Sequence, residues 1–268
     1  MSECASGCDS CSHKEGCKLH KEPLNEYSTI NKVFGIISGK GGVGKSTVTA
    51  LLARRLAKAG YRVGIMDADI TGPSIPKMFC VNSVQPSSGG YIMPAVSKEG
   101  IKIISMNLLL DNEETPVLYR GPIIASFIKQ FWSNVCWGEL DYLLIDMPPG
   151  TGDVALTVYQ SLPLDGVIMV TSPQNLVEMI VMKAVNMTSK MSVPLIGIIE
   201  NYSYFLCDNC SKKHYIFGQS RVEEMAERIG TKVLGKLPFI SAVASLADEG
   251  EDFSDIIDIN LEAITGDL

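Results

Sequence analysis

The sequence Gly39-Lys40-Gly41-Gly42-Val43-Gly44-Lys45-Ser46-Thr47 decides the fold. It contains the full pattern G-x-x-x-x-G-K-[ST], preceded by an apolar run that predicts a strand and followed by an Ala- and Leu-rich stretch that predicts a helix. The glycines let backbone N–H groups point at phosphate oxygens, and the helix adds the positive end of its dipole. A glycine-rich turn that binds nothing is the alternative, but the flanking strand and helix favour a nucleotide-binding loop.

The residue types in the loop predict individual roles. Lys45 should reach the β- and γ-phosphates of ATP, and Ser46 should offer its hydroxyl to Mg²⁺. Thr47 is assigned to the α-phosphate. Lys40 is not required by the general motif, and its side chain could simply be solvated.

Three carboxylates end apolar runs, where α/β sheets bind ligands. Asp146 follows Leu143-Leu144-Ile145 and is predicted to orient Mg²⁺, and the loop 147–153 after it should sense the γ-phosphate. Asp69 is our choice to position or deprotonate the attacking water, while Asp67 could act through Mg²⁺ or the lysines. A helix N-cap or a turn is the simpler explanation for either residue by itself.

The composition excludes some functions. A chain of 268 residues with a net charge of -7 is unlike proteins that coat nucleic acid. There is no apolar stretch long enough to span a bilayer and no export signal at the start of the sequence. We therefore expect a cytoplasmic protein with neither nucleic acid nor membrane as a partner.

Apolar runs alternate with amphipathic stretches from residue 33 onward, which predicts an α/β fold with a doubly wound, mostly parallel sheet. The predicted strands are 33–38, 62–67, 101–106, 142–146, 166–171, 195–201 and 232–236. The predicted helices are 45–59, 122–135, 154–161, 176–191, 221–229 and 242–249. Residues 71–98 should leave the sheet, because they are rich in Pro, Gly and Ser. We divide the chain into a Cys-rich tail, 1–30, and a nucleotide-binding domain, 31–268.

Lys40 immediately before Gly-Gly-x-Gly-Lys-Ser resembles the deviant Walker A class of P-loop proteins, which includes MinD, ParA, the nitrogenase iron protein and the arsenical pump ATPase. The resemblance implies that the nucleotide lies at a homodimer interface. It also implies that Lys40 reaches the phosphates of the partner subunit, as an arginine finger would.

Further motifs resemble the Mrp-type iron-sulfur carrier ATPases, which include the eukaryotic cytosolic cluster scaffolds. They are the segments 67–74, 120–122, 146–153 and 198–205, the last followed by Cys207-x-x-Cys210. The resemblance covers about residues 30 to 265. It implies a homodimer that binds ATP and Mg²⁺, hydrolyses ATP slowly and holds a labile cluster for delivery to apo-proteins. It also implies that Asn201 contacts the adenine base.

Eight cysteines in a chain without an export signal indicate thiols or metal ligands rather than disulfides. Cys207 and Cys210 are half of the four thiolates that a [4Fe-4S] cluster takes, and a two-fold axis would supply the other two. With His214, the same pair could instead belong to a zinc site. Cys80 and Cys136 are expected to be buried apolar residues.

The tail contains Cys4, Cys8, Cys11 and Cys17, and metal binding is the simplest reason for so many cysteines in a short polar segment. The last three resemble the ferredoxin-like motif of the cluster scaffolds. The gap from Cys4 to Cys8 is shorter than in that family, so His13 or His20 could compete as ligands in a zinc site.

Two other functions fit the same loop. The first is a positioning ATPase like ParA or MinD, which binds DNA or membrane, although the acidic segment 255–262 is ill suited to anionic lipid. The second is an ATP-dependent reductase like the nitrogenase iron protein, which would keep its cluster through redox cycles.

Overall fold

A computed structural model of the chain describes residues 21–70, 72–109, 121–174, 177–207, 209–255 and 259–266. Strands and helices alternate along most of these ranges, as the sequence predicts. The strands are β1 (Ser28–Ser38), β2 (Val63–Asp67), β3 (Gln85–Ser88), β4 (Tyr91–Met93), β5 (Ala95–Val96), β6 (Lys102–Ile104), β7 (Gly138–Asp146), β8 (Gly166–Thr171), β9 (Leu195–Leu206), β10 (Lys213–His214) and β11 (Val233–Phe239). The helices are α1 (Lys45–Lys58), α2 (Ile75–Met78), α3 (Gly121–Ser133), α4 (Asp153–Ser161), α5 (Val177–Lys190), α6 (Val222–Ile229), α7 (Ser241–Asp248) and α8 (Glu262–Thr265).

Nine of the described strands form one sheet, in the order β10-β9-β8-β1-β7-β2-β6-β5, with β11 beside β9. The neighbours pair in parallel except at two places, where β10 meets β9 and β5 meets β6. The predicted α/β class with a mostly parallel sheet is confirmed. The P-loop strand β1 lies in the middle, between β7 and β8, so the loop after it opens at the centre of the carboxyl edge of the sheet.

The sheet buries both faces because successive side chains of β1 point to opposite sides. Val33 and Ile37 join one apolar cluster, which includes residues of α3, α4, α5 and α6. Phe34 and Ile36 join the other, which includes residues of α1, α2 and α7. Helices on both faces make the sheet doubly wound.

The segment 71–98 leaves the sheet as predicted, forming α2 and the separate β3–β4 hairpin. It also returns to the sheet, because β5 pairs with β6 in antiparallel orientation. A strand of two residues is too short to show an alternating pattern, and the sequence therefore gave no sign of it.

The predicted helices of eight or more residues lie within two residues of their observed bounds, but four strands, β1, β7, β9 and β11, extend beyond their predicted bounds. β1 begins at Ser28, five residues early, and β9 continues to Leu206. Before β1, the Trp132 ring N–H donates to the Glu22 carbonyl at 2.8 Å, and the Asn25 amide donates to the Ser133 carbonyl at 3.0 Å. These contacts attach the residues ahead of β1 to α3. Among the described helices, none has the length and apolarity needed to cross a bilayer.

Candidate functional site

The loop between β1 and α1 has the backbone that a phosphate-binding loop requires. Gly42 and Gly44 have φ values of 79° and 78°, in the left-handed region that glycine adopts at little cost. Gly44 is also crowded, since a Cβ there would lie 2.2 Å from the Asn201 amide nitrogen. The loop glycines are thus fixed by conformation and, at Gly44, by a close contact as well.

Asp146 organises the polar side of the site. Its Oδ2 atom lies 2.7 Å from the Lys45 Nζ atom and accepts a hydrogen bond of 2.6 Å from the Ser46 hydroxyl. Its Oδ1 atom accepts a 2.6 Å hydrogen bond from Thr49. The two residues predicted to contact phosphate and Mg²⁺ therefore meet on the predicted metal-orienting carboxylate. Hydroxyl and carboxylate oxygens suit Mg²⁺, so Ser46 and Asp146 fit that ion.

Asp67 and Asp69 have different environments. Asp67 is buried at the end of β2, where the Ser105 hydroxyl and the Asp69 backbone N–H donate to its carboxylate at 3.1 and 3.2 Å. Burial raises the pKa of Asp67 well above its usual range, and the charge of Asp146 adds to this. The Asp69 side chain is 16% exposed, and its Oδ2 atom lies 3.8 Å from the Lys45 Nζ atom. Asp69 is therefore the carboxylate that a water molecule can reach, as its predicted role requires.

Lys40 makes an exposed side-chain contact that the sequence did not predict. Its Nζ atom donates to the Gln174 side-chain oxygen, and the Ser38 hydroxyl donates to its carbonyl at 3.1 Å. Gln174 follows β8, the strand next to β1, so the lysine is bound within its own subunit in the single chain.

A cavity of about 100 Å³ lies beside α1 and is lined by Thr47, Asn201, Tyr202 and Phe239, among others. The Asn201 amide donates to the Val43 carbonyl at 3.0 Å, which ties the end of β9 to the loop. The rings of Tyr202 and Phe239 lie 5.7 Å apart in an edge-to-face arrangement. An aromatic wall next to an amide suits a nucleotide base.

Cys207 and Cys210 lie in the turn between β9 and β10. The backbone closes this turn with hydrogen bonds from the Cys207 N–H to the Lys212 carbonyl at 3.0 Å and from the Ser211 N–H to the Cys207 carbonyl at 2.8 Å. Neither cysteine forms a disulfide among the described residues; Cys210 is exposed and Cys207 is half-buried. Within the described ranges, no three His, Cys, Asp or Glu side chains are grouped to hold a metal, so His214 does not form a three-ligand zinc site with this pair.

The remaining cysteines divide into two groups. Cys4, Cys8, Cys11 and Cys17 lie outside the described residues, as do His13, His20 and Arg120. Cys136 is half-buried, but the prediction of a buried Cys80 is wrong because that residue is exposed. Cys80 follows α2 with a φ of 49°, in a turn that brings its Sγ atom 3.2 Å from the Glu249 carbonyl. The apolar pattern of the sequence does not reveal such a turn.

Sequence reasoning missed Thr49, Gln174 and Tyr202. Thr49 could have been found, because it lies four residues after Lys45 and so on the same face of α1. Gln174 comes to the site through the pairing of β8 with β1, and no local pattern marks it. Tyr202 directly follows Asn201 in the segment 198–205, so its place beside the predicted base contact could have pointed to it.

The fold and the site define the class: this is a P-loop NTPase with the deviant Walker A loop, in which a second lysine, Lys40, precedes the glycines. Residues 29–263 match the ParA family model described as NUBPL iron-transfer P-loop NTPase, and the chain belongs to that family. An iron-sulfur cluster carrier protein of Methanocaldococcus jannaschii is 43% identical, with 99% of each chain covered. A protein of the same name from Clostridium perfringens is 44% identical, covering 94% of this chain and 93% of its own.

Solved structures with a similar fold support this assignment. A nucleotide-binding protein of Archaeoglobus fulgidus in complex with ADP is 42% identical, with a TM-score of 0.74 over 82% of this chain and 87% of its own. The septum site-determining protein MinD of Pyrococcus horikoshii, at 21% identity, has a TM-score of 0.58 over 83% of this chain and 87% of its own. The second likeness supports the fold alone.

Proposed function

We propose that this chain is an ATP-dependent carrier of iron-sulfur clusters. Two copies bind ATP and Mg²⁺ at their P-loops, hydrolyse ATP slowly, and hold one [4Fe-4S] cluster on Cys207 and Cys210 of each copy for transfer to apo-proteins. The observation that carries the proposal is the placement of an accessible cysteine pair at the end of β9, the strand that also brings Asn201 to the nucleotide loop. The relatives named iron-sulfur cluster carrier proteins support it.

The nucleotide part of the proposal assigns each group a task. Lys45 binds the β- and γ-phosphates, and Ser46 and Asp146 hold Mg²⁺, which neutralises phosphate charge when it is bound. Asp69 accepts the proton of the attacking water or positions that water, because it is a partly exposed carboxylate 3.8 Å from the Lys45 Nζ atom. Asn201, Tyr202 and Thr47 line the cavity that receives the nucleotide base. The ADP complex of the relative with 42% identity supports a nucleotide in this position.

The cluster part rests on ligand number. Clusters of this type usually take four thiolates, and the β9–β10 turn supplies two per copy. A two-fold axis beside the turn would complete the set, and the deviant Walker A loop independently favours a dimer. Asn201 lies in β9 and Cys207 directly follows the end of that strand, six residues or at most roughly 20 Å along the chain, so a change of nucleotide beside Asn201 would act on the segment that leads to the cysteines.

Anaerobic reconstitution with iron and sulfide tests the proposal. The experiment uses full-length chains in which Cys4, Cys8, Cys11 and Cys17 are changed to Ser, so that iron on the tail does not contribute to the measurement. We expect about four irons per dimer with cysteine-ligated absorption, by the four-thiolate rule. Adding Cys207→Ala and Cys210→Ala should remove this iron. Cys80→Ala is the matched control, since Cys80 is also exposed but lies outside the turn.

Two results would contradict the cluster assignment: iron that survives loss of both cysteines, or zinc in place of iron. Absence of any metal would instead favour a positioning ATPase. A loaded dimer that reduces an acceptor without losing its cluster would favour the reductase. Transfer is measured by mixing loaded protein with an apo-ferredoxin and following the appearance of the ferredoxin cluster after the two proteins are separated.

A further inference from the structure

A second cavity, of about 290 Å³, lies beside the nucleotide loop and takes no part in the proposed nucleotide or cluster chemistry. Its walls come from the end of β8 with the residues after it, from Glu200 in β9, and from α6. Gln174, which binds Lys40, is one of the lining residues. The volume is close to the lower end of the range for small-molecule sites, roughly 300 Å³.

Two lining hydroxyls find no hydrogen-bond partner among the residues that the structure describes. They belong to Thr171 and Ser172, which are 2% and 5% exposed. Native proteins satisfy nearly all such buried groups, so an unpaired pair at one cavity needs a reason. A ligand with hydrogen-bond donors and acceptors would supply the missing partners.

The third lining group is a buried carboxylate. Glu200 is 2% exposed, and the Ser203 hydroxyl donates to its Oε2 atom at 2.5 Å. In the part of the chain that the structure describes, no cation lies within ion-pair distance of it. A carboxylate is costly to bury unless a cation or several donors compensate it, and one hydroxyl is weak compensation. The inner part of the cavity is therefore suited to a positively charged donor group.

The rim has the opposite character. Arg221, just before α6, and Arg228, within it, line the cavity, and both side chains are exposed. Glu224 also lines the cavity, and its carboxylate lies 3.4 Å from Arg221, three residues before it. Guanidinium groups at the rim suit a carboxylate, which they can bind through paired hydrogen bonds. Apolar side chains, among them Val222 and Met225, separate the two polar regions.

We propose that this cavity binds a small α-amino acid. The ammonium group would compensate Glu200 and bond to the Thr171 and Ser172 hydroxyls, and the carboxylate would face the arginines at the rim. An α-amino acid combines both charges in a molecule small enough for the cavity, whereas a simple anion would leave Glu200 uncompensated. The residues assigned to the phosphates, Mg²⁺ and the cluster do not line this cavity, although Gln174 in its wall contacts Lys40, so the amino-acid site does not depend on the proposed function.

Isothermal titration of the nucleotide-free full chain with each of the proteinogenic amino acids tests the site. We expect a subset with small or apolar side chains to bind, and the N-acetylated and decarboxylated forms of the same compounds to fail. Glu200→Gln should weaken binding by about tenfold or more, because it removes a charged hydrogen bond. Arg228→Gln, a surface change, should weaken it as well.

The controls separate this site from the others. Glu227→Gln changes an exposed glutamate of α6 that does not line the cavity, and it should bind the amino acid as the wild type does. Lys45→Ala should also keep amino-acid binding while it loses nucleotide. If no amino acid binds the wild type, the proposal is wrong. It is also wrong if Arg228→Gln binds as tightly as the wild type, a result that decides the matter even if Glu200→Gln does not fold.

Discussion

Gly44 combines a conformational requirement with a steric one. Its φ of 78° is in the left-handed region, and a Cβ would come within 2.2 Å of the Asn201 amide nitrogen and 2.9 Å of the Tyr202 hydroxyl. A side chain here would therefore strain the loop and also push on the wall of the base cavity. Glycine at this position therefore preserves the packing of Asn201 and Tyr202 in β9 as well as the backbone of the phosphate-binding loop.

Gly44→Ala should lower the free energy of unfolding by at least about 1–2 kcal/mol, the cost of the left-handed backbone for an L-residue. Urea unfolding of the nucleotide-free protein measures this. Gly41→Ala is the control, because no atom lies within 4 Å of its Cβ position and its φ is outside the left-handed region. Equal losses in the two variants would show that neither the backbone nor the Asn201 contact matters.

Asp69 is partly exposed, whereas Asp67 is buried, and only Asp69 is assigned to the attacking water. Asp69→Asn should keep ATP bound but reduce its hydrolysis by roughly 10²-fold or more, the usual contribution of a general base. Binding is measured with a fluorescent ATP analogue, and turnover by phosphate release. Asp248→Asn removes an exposed carboxylate that pairs with Lys77, and it should leave both unchanged. A wild-type rate for Asp69→Asn would mean that another group activates the water.

Helix α1 connects the nucleotide loop to the far end of the chain through Arg54. This side chain is fully buried, with its guanidinium 4.5 Å from the Phe79 ring and 4.9 Å from the Phe253 ring. It donates to the Met78 carbonyl at 2.8 Å and to the Gly250 carbonyl at 3.2 Å. The helix that follows the P-loop is thereby fixed to both α2 and the segment after α7.

Arg54→Ala should lower the free energy of unfolding by roughly 3–5 kcal/mol, because it removes a buried guanidinium and leaves the Met78 and Gly250 carbonyls and the Glu99 carboxylate without that partner. Lys58→Ala, one turn later, removes the ion pairs of an exposed lysine with Asp252 and Asp255, and should cost less than about 1 kcal/mol. Urea unfolding compares the two. Similar losses would contradict the assignment of Arg54 as the connecting residue.

The elements that were predicted from the sequence share one property: each can be recognised from its own stretch of residues. β1, α1, β7 and β8 are continuous apolar or amphipathic runs, and the P-loop is a contiguous motif. What the sequence did not predict depends on contacts between distant segments. β5 has two residues and exists because β6 is beside it, and Gln174 reaches Lys40 because β8 pairs with β1.

At the scale of the molecule, the parallel sheet explains why distant residues converge. Asp146 and Asp67 are register partners at the carboxyl ends of β7 and β2, and Ile36 of β1 pairs with Asp146 on the other side. Asn201 arrives from β9. The cysteine pair, by contrast, offers only two thiols per chain, and Lys40 contacts Gln174 of its own chain. In the proposed dimer, both features would gain a function.

Mixing two inactive variants tests whether Lys40 acts across the dimer. Lys45→Ala should fail to bind nucleotide, and Lys40→Ala should bind ATP but hydrolyse it slowly. In a mixed dimer, the Lys40→Ala subunit binds ATP and the Lys45→Ala subunit still offers its Lys40 to that site. The mixture should therefore hydrolyse ATP faster than the sum of the two separate samples, in a phosphate-release assay at concentrations where dimers exchange.

If Lys40 acts within its own subunit, the composite site gains nothing and the mixture stays as inactive as its components. Wild-type turnover by Lys40→Ala on its own would likewise remove the reason to place the nucleotide at a dimer interface.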